Sequence, residues 1–178
     1  MSARTPGALE LLRALYASLD RRVAELTVHH AERMACRRGC NACCVDELSV
    51  FAVEADNIAD RFPDLAAMTP ARRGVCVFLG EDGACRIYEA RPYVCRTQGL
   101  PLRWLESDAR GETHELRDVC PVHAERFPLE SLTPAECLTL GVAEEHLARI
   151  AAWDAQQKGA DPAAPPRVRL RGLVGGGA

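Results

Sequence analysis

Four of the chain's nine cysteines fall within nine residues, in the run Cys36-Arg37-Arg38-Gly39-Cys40-Asn41-Ala42-Cys43-Cys44. Thiols three or four positions apart on a turn converge on one point, as a tetrahedral metal or an iron–sulfur cluster requires. Gly39 frees the backbone to wrap, and Arg37 and Arg38 are expected to offset thiolate charge and lower the cysteine pKa values. Four more thiols follow at Cys76, Cys85, Cys95 and Cys120. Cys76 and Cys85 stand on two β-prone pieces that flank Gly80-Glu81-Asp82-Gly83, so a hairpin would bring them together. Eight thiols fill either two four-cysteine sites or one polynuclear centre. Order along the chain does not say which thiols share a metal, and interleaved and sequential assignments stand equally open. His123, three residues after Cys120, is kept as a possible imidazole ligand. His29, His30, His114 and His146 have no partner at ligand spacing and are expected to be surface or capping groups. Cys137 stands apart and reads as a core residue.

The elements that must position these thiols follow from hydrophobic periodicity. Leu12, Leu15, Leu19, Val23 and Leu26 recur at threes and fours from Ala8 to Ala35, which predicts an amphipathic helix covering the domain's own core. Arg33, Arg37 and Arg38 suit the negative end of its dipole. Leu48 to Val53 has strand character, and Glu54 to Phe62 reads as a helix closed by Pro63, with a short helix possible over Asp64 to Met68. The hairpin spans Val75 to Tyr88, and Pro92 opens a short helix carrying Cys95 and Arg96. Leu100 to Leu105 and Glu112 to Val119 form a second extended pair. Thr133 caps a helical stretch over Pro134 to Leu140 that contains Cys137, and Glu144 to Gln157 is a further helix. Past Lys158, the prolines and the closing Gly175-Gly176-Gly177 read as a disordered tail in which Arg167, Arg169 and Arg171 are solvated.

The pattern predicts an α+β fold: a small cysteine-rich metal-binding domain with a β-hairpin, flanked by an N-terminal amphipathic helix and C-terminal helices. The expected division is 1–35 for the N-terminal helix packed on the core, 36–127 for the cysteine-cluster domain, 128–158 for the C-terminal helical segment and 159–178 for the tail.

The 178 residues include 22 basic and 25 acidic side chains, a formal charge of −3, which disfavours a strongly cationic nucleic-acid binder. A 48% hydrophobic content suffices for a core and excludes wholesale disorder. Met1 to Gly7 and the polar residues behind it hold no signal-peptide core, and no apolar stretch approaches the roughly 20 residues that span a bilayer. The expected address is the cytoplasm, where clustered thiols bind metal or do redox chemistry more often than they form bridges.

The ordered motifs Cys40-x-x-Cys43-Cys44, Cys76-Val77-Phe78-Leu79, Gly83-Ala84-Cys85-Arg86-Ile87-Tyr88 and Arg91-Pro92-x-x-Cys95-Arg96 resemble the YkgJ-type cysteine-cluster family of zinc- or iron-chelating proteins. The resemblance covers roughly Cys36 to Cys120. It implies a metal ligand set of Cys36, Cys40, Cys43, Cys44, Cys76, Cys85, Cys95 and Cys120, accompanied by Arg91 and Arg96, with an iron–sulfur cluster or zinc as cofactor. The metal ion is then the expected partner, with room for a protein client. A related cysteine arrangement in the flagellin lysine methylases supplies the alternative of a protein-modifying or redox enzyme. Cys36-x-x-x-Cys40-x-x-Cys43 also coincides with the radical adenosylmethionine motif, but about 130 residues remain after Cys44, too few for the barrel such enzymes use. An all-thiolate set fits zinc and iron and argues against magnesium and calcium. The tight Cys40, Cys43, Cys44 grouping and nearby arginines favour iron, and the hairpin pair favours zinc; the reading leans to iron.

Overall fold

Leu12, Tyr16, Leu19 and Leu26 share one stripe of a helix and are all buried, which fixes how α1 (Ala8–His29) lies on the rest of the chain. The computed structural model describes residues 7–175. The first half of α1 packs Leu12 and Tyr16 against Val53 of α2 (Ala52–Arg61) and Leu147 and Ala151 of the later helix α4 (Val142–Gln157). Its second half packs Leu19 and Leu26 against Leu100 and Leu138. Burying each such side chain contributes roughly 1.5–3 kcal/mol.

Two small sheets complete an α+β fold. β1 (Ser49–Phe51) pairs antiparallel with β5 (Arg167–Arg169), with Val50 opposite Val168. β2 (Leu102–Ser107) and β3 (Thr113–Asp118) form an antiparallel hairpin, and β4 (Leu138–Thr139) adds in parallel on the other side of β2. Between the sheets, α3 (Tyr93–Arg96) is a single turn with Pro92 at its N-cap. The largest apolar cluster gathers Val50, Ile58, Val77, Phe78, Ile87, Leu170 and Val174 around Cys76. No helix among the described residues is long and apolar enough to cross a membrane.

Four local expectations change. The predicted strands over Val75 to Tyr88 reduce to one bridge between Leu79 and Cys85, because the Cys76 N–H donates to the Cys44 carbonyl instead of across the turn. The helix expected over Pro134 to Leu140 is one 3-10 turn, Pro134–Glu136, after which Cys137 is extended and Leu138 and Leu140 donate to the Pro101 and Arg103 carbonyls. Sheet pairing there outcompetes local helix propensity. The segment read as a disordered tail is built into the fold through residue 175: Arg167, Arg169 and Arg171 form ion pairs or hydrogen bonds with residues of the Asp46–Ser49 and Ala71–Val75 segments, while Leu170 and Val174 are buried. Gly176 and Gly177, and the first six residues, lie outside the described residues. His30, expected at the surface, is 2% exposed and its Nε2 meets the Glu136 carbonyl at 2.7 Å.

Candidate metal centre

The chain leaves α1 at His30 and reaches Cys36 through a segment fixed by His123. The Ala35 N–H donates to His123 Nδ1 at 3.1 Å, and His123 Nε2 lies 3.3 Å from Cys36 Sγ. With Nδ1 accepting, a neutral ring carries its proton on Nε2, so the imidazole presents an N–H to the Cys36 sulfur. Burial and the Arg126 charge push the His123 pKa down, which keeps the ring neutral. His123 thus stands beside Cys36 with Nε2 facing the sulfur. The His123 N–H in turn donates to the Cys120 carbonyl at 2.8 Å, which ties Cys120 to the same corner.

Gly99, unmarked in the sequence reading, closes that corner. Its φ is +93°, and a Cβ built on it would lie 2.5 Å from Cys36 Sγ. Only glycine permits both the backbone conformation and the close approach of the thiol. No pattern in the sequence pointed to it, because its neighbour Cys36 is distant along the chain.

From Cys36 the loop proceeds by tight turns: the Cys40 N–H donates to the Arg37 carbonyl and the Cys44 N–H to the Asn41 carbonyl, both at 2.9 Å. The Gly80–Gly83 turn packs on this loop, with a hypothetical Gly83 Cβ only 3.1 Å from the Gly39 carbonyl oxygen. Arg38 pairs with Asp82 at 2.9 Å. That pairing turns Arg38 toward a carboxylate, and the expected lowering of the thiol pKa values does not occur. Burial, reinforced by the neighbouring Cys40, Cys120 and Cys43 thiols, pushes Cys36 up to about 11. Burial followed by Cys43, Cys76 and Cys85 pushes Cys44 up to about 12, and burial followed by Cys76, Cys85, Cys43 and Cys44 pushes Cys95 up to about 12.

These neighbour relations divide the eight candidates. Cys44, Cys76 and Cys85 belong to one apolar cluster, with the Cys44 carbonyl bonded to the Cys76 N–H and Cys95 approaching from α3. Cys36, Cys40 and Cys120 face one another beside His123, and Cys43 is raised by burial with Cys120 and Cys40 as its repelling neighbours. The neighbour relations are interleaved along the chain: residues 36, 40 and 120 lie together, 44, 76, 85 and 95 lie together, and Cys43 borders both, as a repelling neighbour of Cys36 and also of Cys44 and Cys95. All nine cysteines are free thiols. Cys137 packs with Val119, Phe127 and Leu132 and is 1% exposed, the core position expected of it.

The two arginines that the resemblance attaches to the site serve its scaffold. Arg96, 5% exposed, donates to the Arg91 and Glu89 carbonyls, pairs with Asp20 of α1 at 2.5 Å and lies 4.1 Å over the Tyr16 ring. Arg91 stacks 3.7 Å over Tyr88 and donates to its carbonyl. Together they hold the turn that delivers Cys95.

The donor set fits a thiophilic cation: soft sulfurs, several of them crowded enough to raise a neighbour's pKa, with Arg86, Arg91 and Arg171 as the positive charges near Cys76 and Cys85. Their spacing is informative as well. Among the described residues no three cysteine sulfurs come within 4.8 Å of one another; the one trio of potential ligand atoms that does is Asp108 and Glu112 of the β2–β3 turn with His114 of β3, all exposed. A further cleft of about 590 Å³ between β1, α2, α4 and β5 includes Phe51, Glu54, Tyr93 and Leu147 in its lining. Glu54 there is committed, accepting from the Tyr16 hydroxyl and the Tyr93 and Phe51 N–H groups.

Comparison with known proteins adds one finding. Residues 35–121 match the family model CxxCxxCC, described as a putative zinc- or iron-chelating domain. No curated protein and no solved structure matches the chain.

Proposed function

We propose that this chain, a member of the CxxCxxCC zinc- or iron-chelating family across residues 35–121, holds iron through the eight thiols Cys36, Cys40, Cys43, Cys44, Cys76, Cys85, Cys95 and Cys120, in the form of iron–sulfur clusters. The observation that carries the reading is the approach of free thiols from separate segments: Cys36 has Cys40, Cys43 and Cys120 as repelling neighbours, and Cys44 and Cys95 have Cys43, Cys76 and Cys85. A bound cation removes that opposition. Iron is favoured over zinc by the tight Cys40, Cys43, Cys44 grouping and the arginines near the thiols, which suit a negative cluster. A cluster of several irons, when bound, supplies one-electron chemistry. The setting is a reducing one, the cytoplasm, in keeping with nine unpaired thiols. Chelation is the role proposed.

The test is purification without oxygen, followed by metal analysis and an absorption spectrum. Iron with acid-labile sulfide and a band near about 400 nm is the expected result. Zinc without sulfide would overturn iron and leave chelation standing; a folded protein free of zinc, iron and copper would overturn both.

A further inference from the structure

The two thiol sets sit in different surroundings. Cys76 is buried, Cys44, Cys85 and Cys95 are half-buried, Cys44 and Cys85 pack against the main apolar cluster, and the nearby Val77, Phe78 and Ile87 of that cluster are each at most 2% exposed. The chain closes over this set with Leu170 and Val174, both buried. In the other set Cys36 and Cys43 are exposed as residues although their sulfurs are partly desolvated, and Cys40 and Cys120 are half-buried. The loop that carries Cys36, Cys40 and Cys43 is held by single-turn hydrogen bonds and the solvent-facing Arg38–Asp82 pair.

We propose that Cys36, Cys40, Cys43 and Cys120 form an outer, exchangeable site for a thiophilic metal, and that Cys44, Cys76, Cys85 and Cys95 form an inner, resident one. The inference rests on the chelating reading and deepens it. Freeing the inner set requires opening an apolar core, a cooperative event; freeing the outer set requires only the loop to open, which draws on the low end of the local-stability range. The outer corner also has a side-chain N–H donor at a thiol, His123 to Cys36, where Cys76 and Cys85 are met by the backbone N–H groups of Phe78 and Ile87, and hydrogen bonds to sulfur are among the features that set a centre's reactivity. The outer set is therefore where metal enters, leaves or meets a reaction partner.

The protein purified without oxygen, carrying its metal, is challenged with EDTA, and samples taken over time are alkylated with iodoacetamide. Tandem mass spectrometry reads each cysteine while released metal is counted. The expected result is a first phase at least about tenfold faster than the second, in which about half the metal leaves and Cys36, Cys40, Cys43 and Cys120 lose protection together. Loss of protection at one rate for all eight, or entry of any inner cysteine into the fast group, overturns the division while leaving chelation intact. Eight thiols reactive from the start in a metal-free protein would overturn the chelating reading and this inference with it. In a second arm, Cys40→Ser is expected to halve the metal content and keep the slow phase and the circular dichroism of the parent; loss of both phases overturns the proposal.

Discussion

Replacing Gly99 by alanine separates the contact that shapes the outer corner from the backbone strain that accompanies it. At φ +93° an alanine costs about 1–2 kcal/mol on backbone grounds alone. The new Cβ would stand 2.5 Å from Cys36 Sγ, and an ordinary contact requires about 3.5–4.0 Å, so the sulfur must retreat by roughly 1 Å. Such a displacement is about five times the ~0.2 Å tolerance of a metal–ligand bond. Metal affinity of the outer site should fall at least 10–100-fold, the loss typical when a ligand's supporting shell is removed. Gly111→Ala is the control, because Gly111 has φ +81° with nothing within 4 Å of its hypothetical Cβ. Thermal unfolding of the metal-free proteins should show similar losses for the two variants. Metal content after dialysis against a competing chelator should fall for Gly99→Ala alone. Equal metal retention in the two variants would refute the claim that Gly99 positions Cys36.

Removing the His123 ring by His123→Ala should cost about 2–4 kcal/mol, through the cavity and the unpaired Ala35 N–H. His123→Gln, which restores an amide N–H near the Nε2 position, should keep metal affinity within about tenfold of the parent whereas His123→Ala loses about 10–100-fold; equilibrium metal competition reads the difference. Arg171→Ala strips Asp46 and the Ala71, Arg72 and Val75 carbonyls of one shared donor and should lower stability by about 2–4 kcal/mol, seen in denaturant unfolding, with faster alkylation of Cys76 next to Val75. The raised thiols set a pH dependence for the metal-free form: Cys36, Cys44 and Cys95 hold protons to about 11 or 12 in the fold, against an ordinary 9.0, so the unfolded chain ionises first. Stability should be flat below about pH 8 and decline as pH rises from 9 toward 12. By the same protonation, metal uptake at pH 7 should release protons, measurable by calorimetry in buffers of different ionisation enthalpy.

What was legible in the sequence was whatever is local. The spacing of Cys36, Cys40, Cys43 and Cys44 needs only turns to bring the thiols near one another, and the stripe of Leu12, Leu19 and Leu26 needs only helical periodicity. The division of the thiols depends on Cys95 and Cys120, whose positions are set by the Arg96–Asp20 pair and by the His123 contacts, and neither has a one-dimensional signature. The direction of the thiol pKa values is set first by burial, which no short-range pattern announces, and Arg38 is engaged by Asp82, 44 residues away in the chain. The closing segment did carry a signal. Arg167-Val168-Arg169-Leu170-Arg171 alternates with period two, the mark of a half-buried strand, and it was masked by the prolines before it and the glycines after it.

The adjacency of Cys43 and Cys44 gives the centre its order of assembly. Neighbouring residues lie 3.8 Å apart along the backbone and direct their side chains differently, so two consecutive thiols serve two sites more readily than one. The pair therefore joins an inner and an outer set through one peptide bond, and what fixes Cys44 also fixes Cys43. Cys44 is fixed by the Cys76 N–H, and the turn between Cys76 and Cys85 then places Gly83 under Gly39 and Asp82 beside Arg38, shaping the loop that holds Cys40 and Cys43. The outer set has no comparable hold on the inner one, because Cys76 and Cys85 are seated in the apolar cluster irrespective of Cys36 and Cys120. Dependence thus runs one way. Cys85→Ser should empty both sets, and metal analysis of that variant should find well under half the parent content, whereas loss of an outer thiol leaves the inner set loaded. A Cys85→Ser protein that keeps a full outer complement would show that the two sets form independently and that the shared peptide bond carries no coupling.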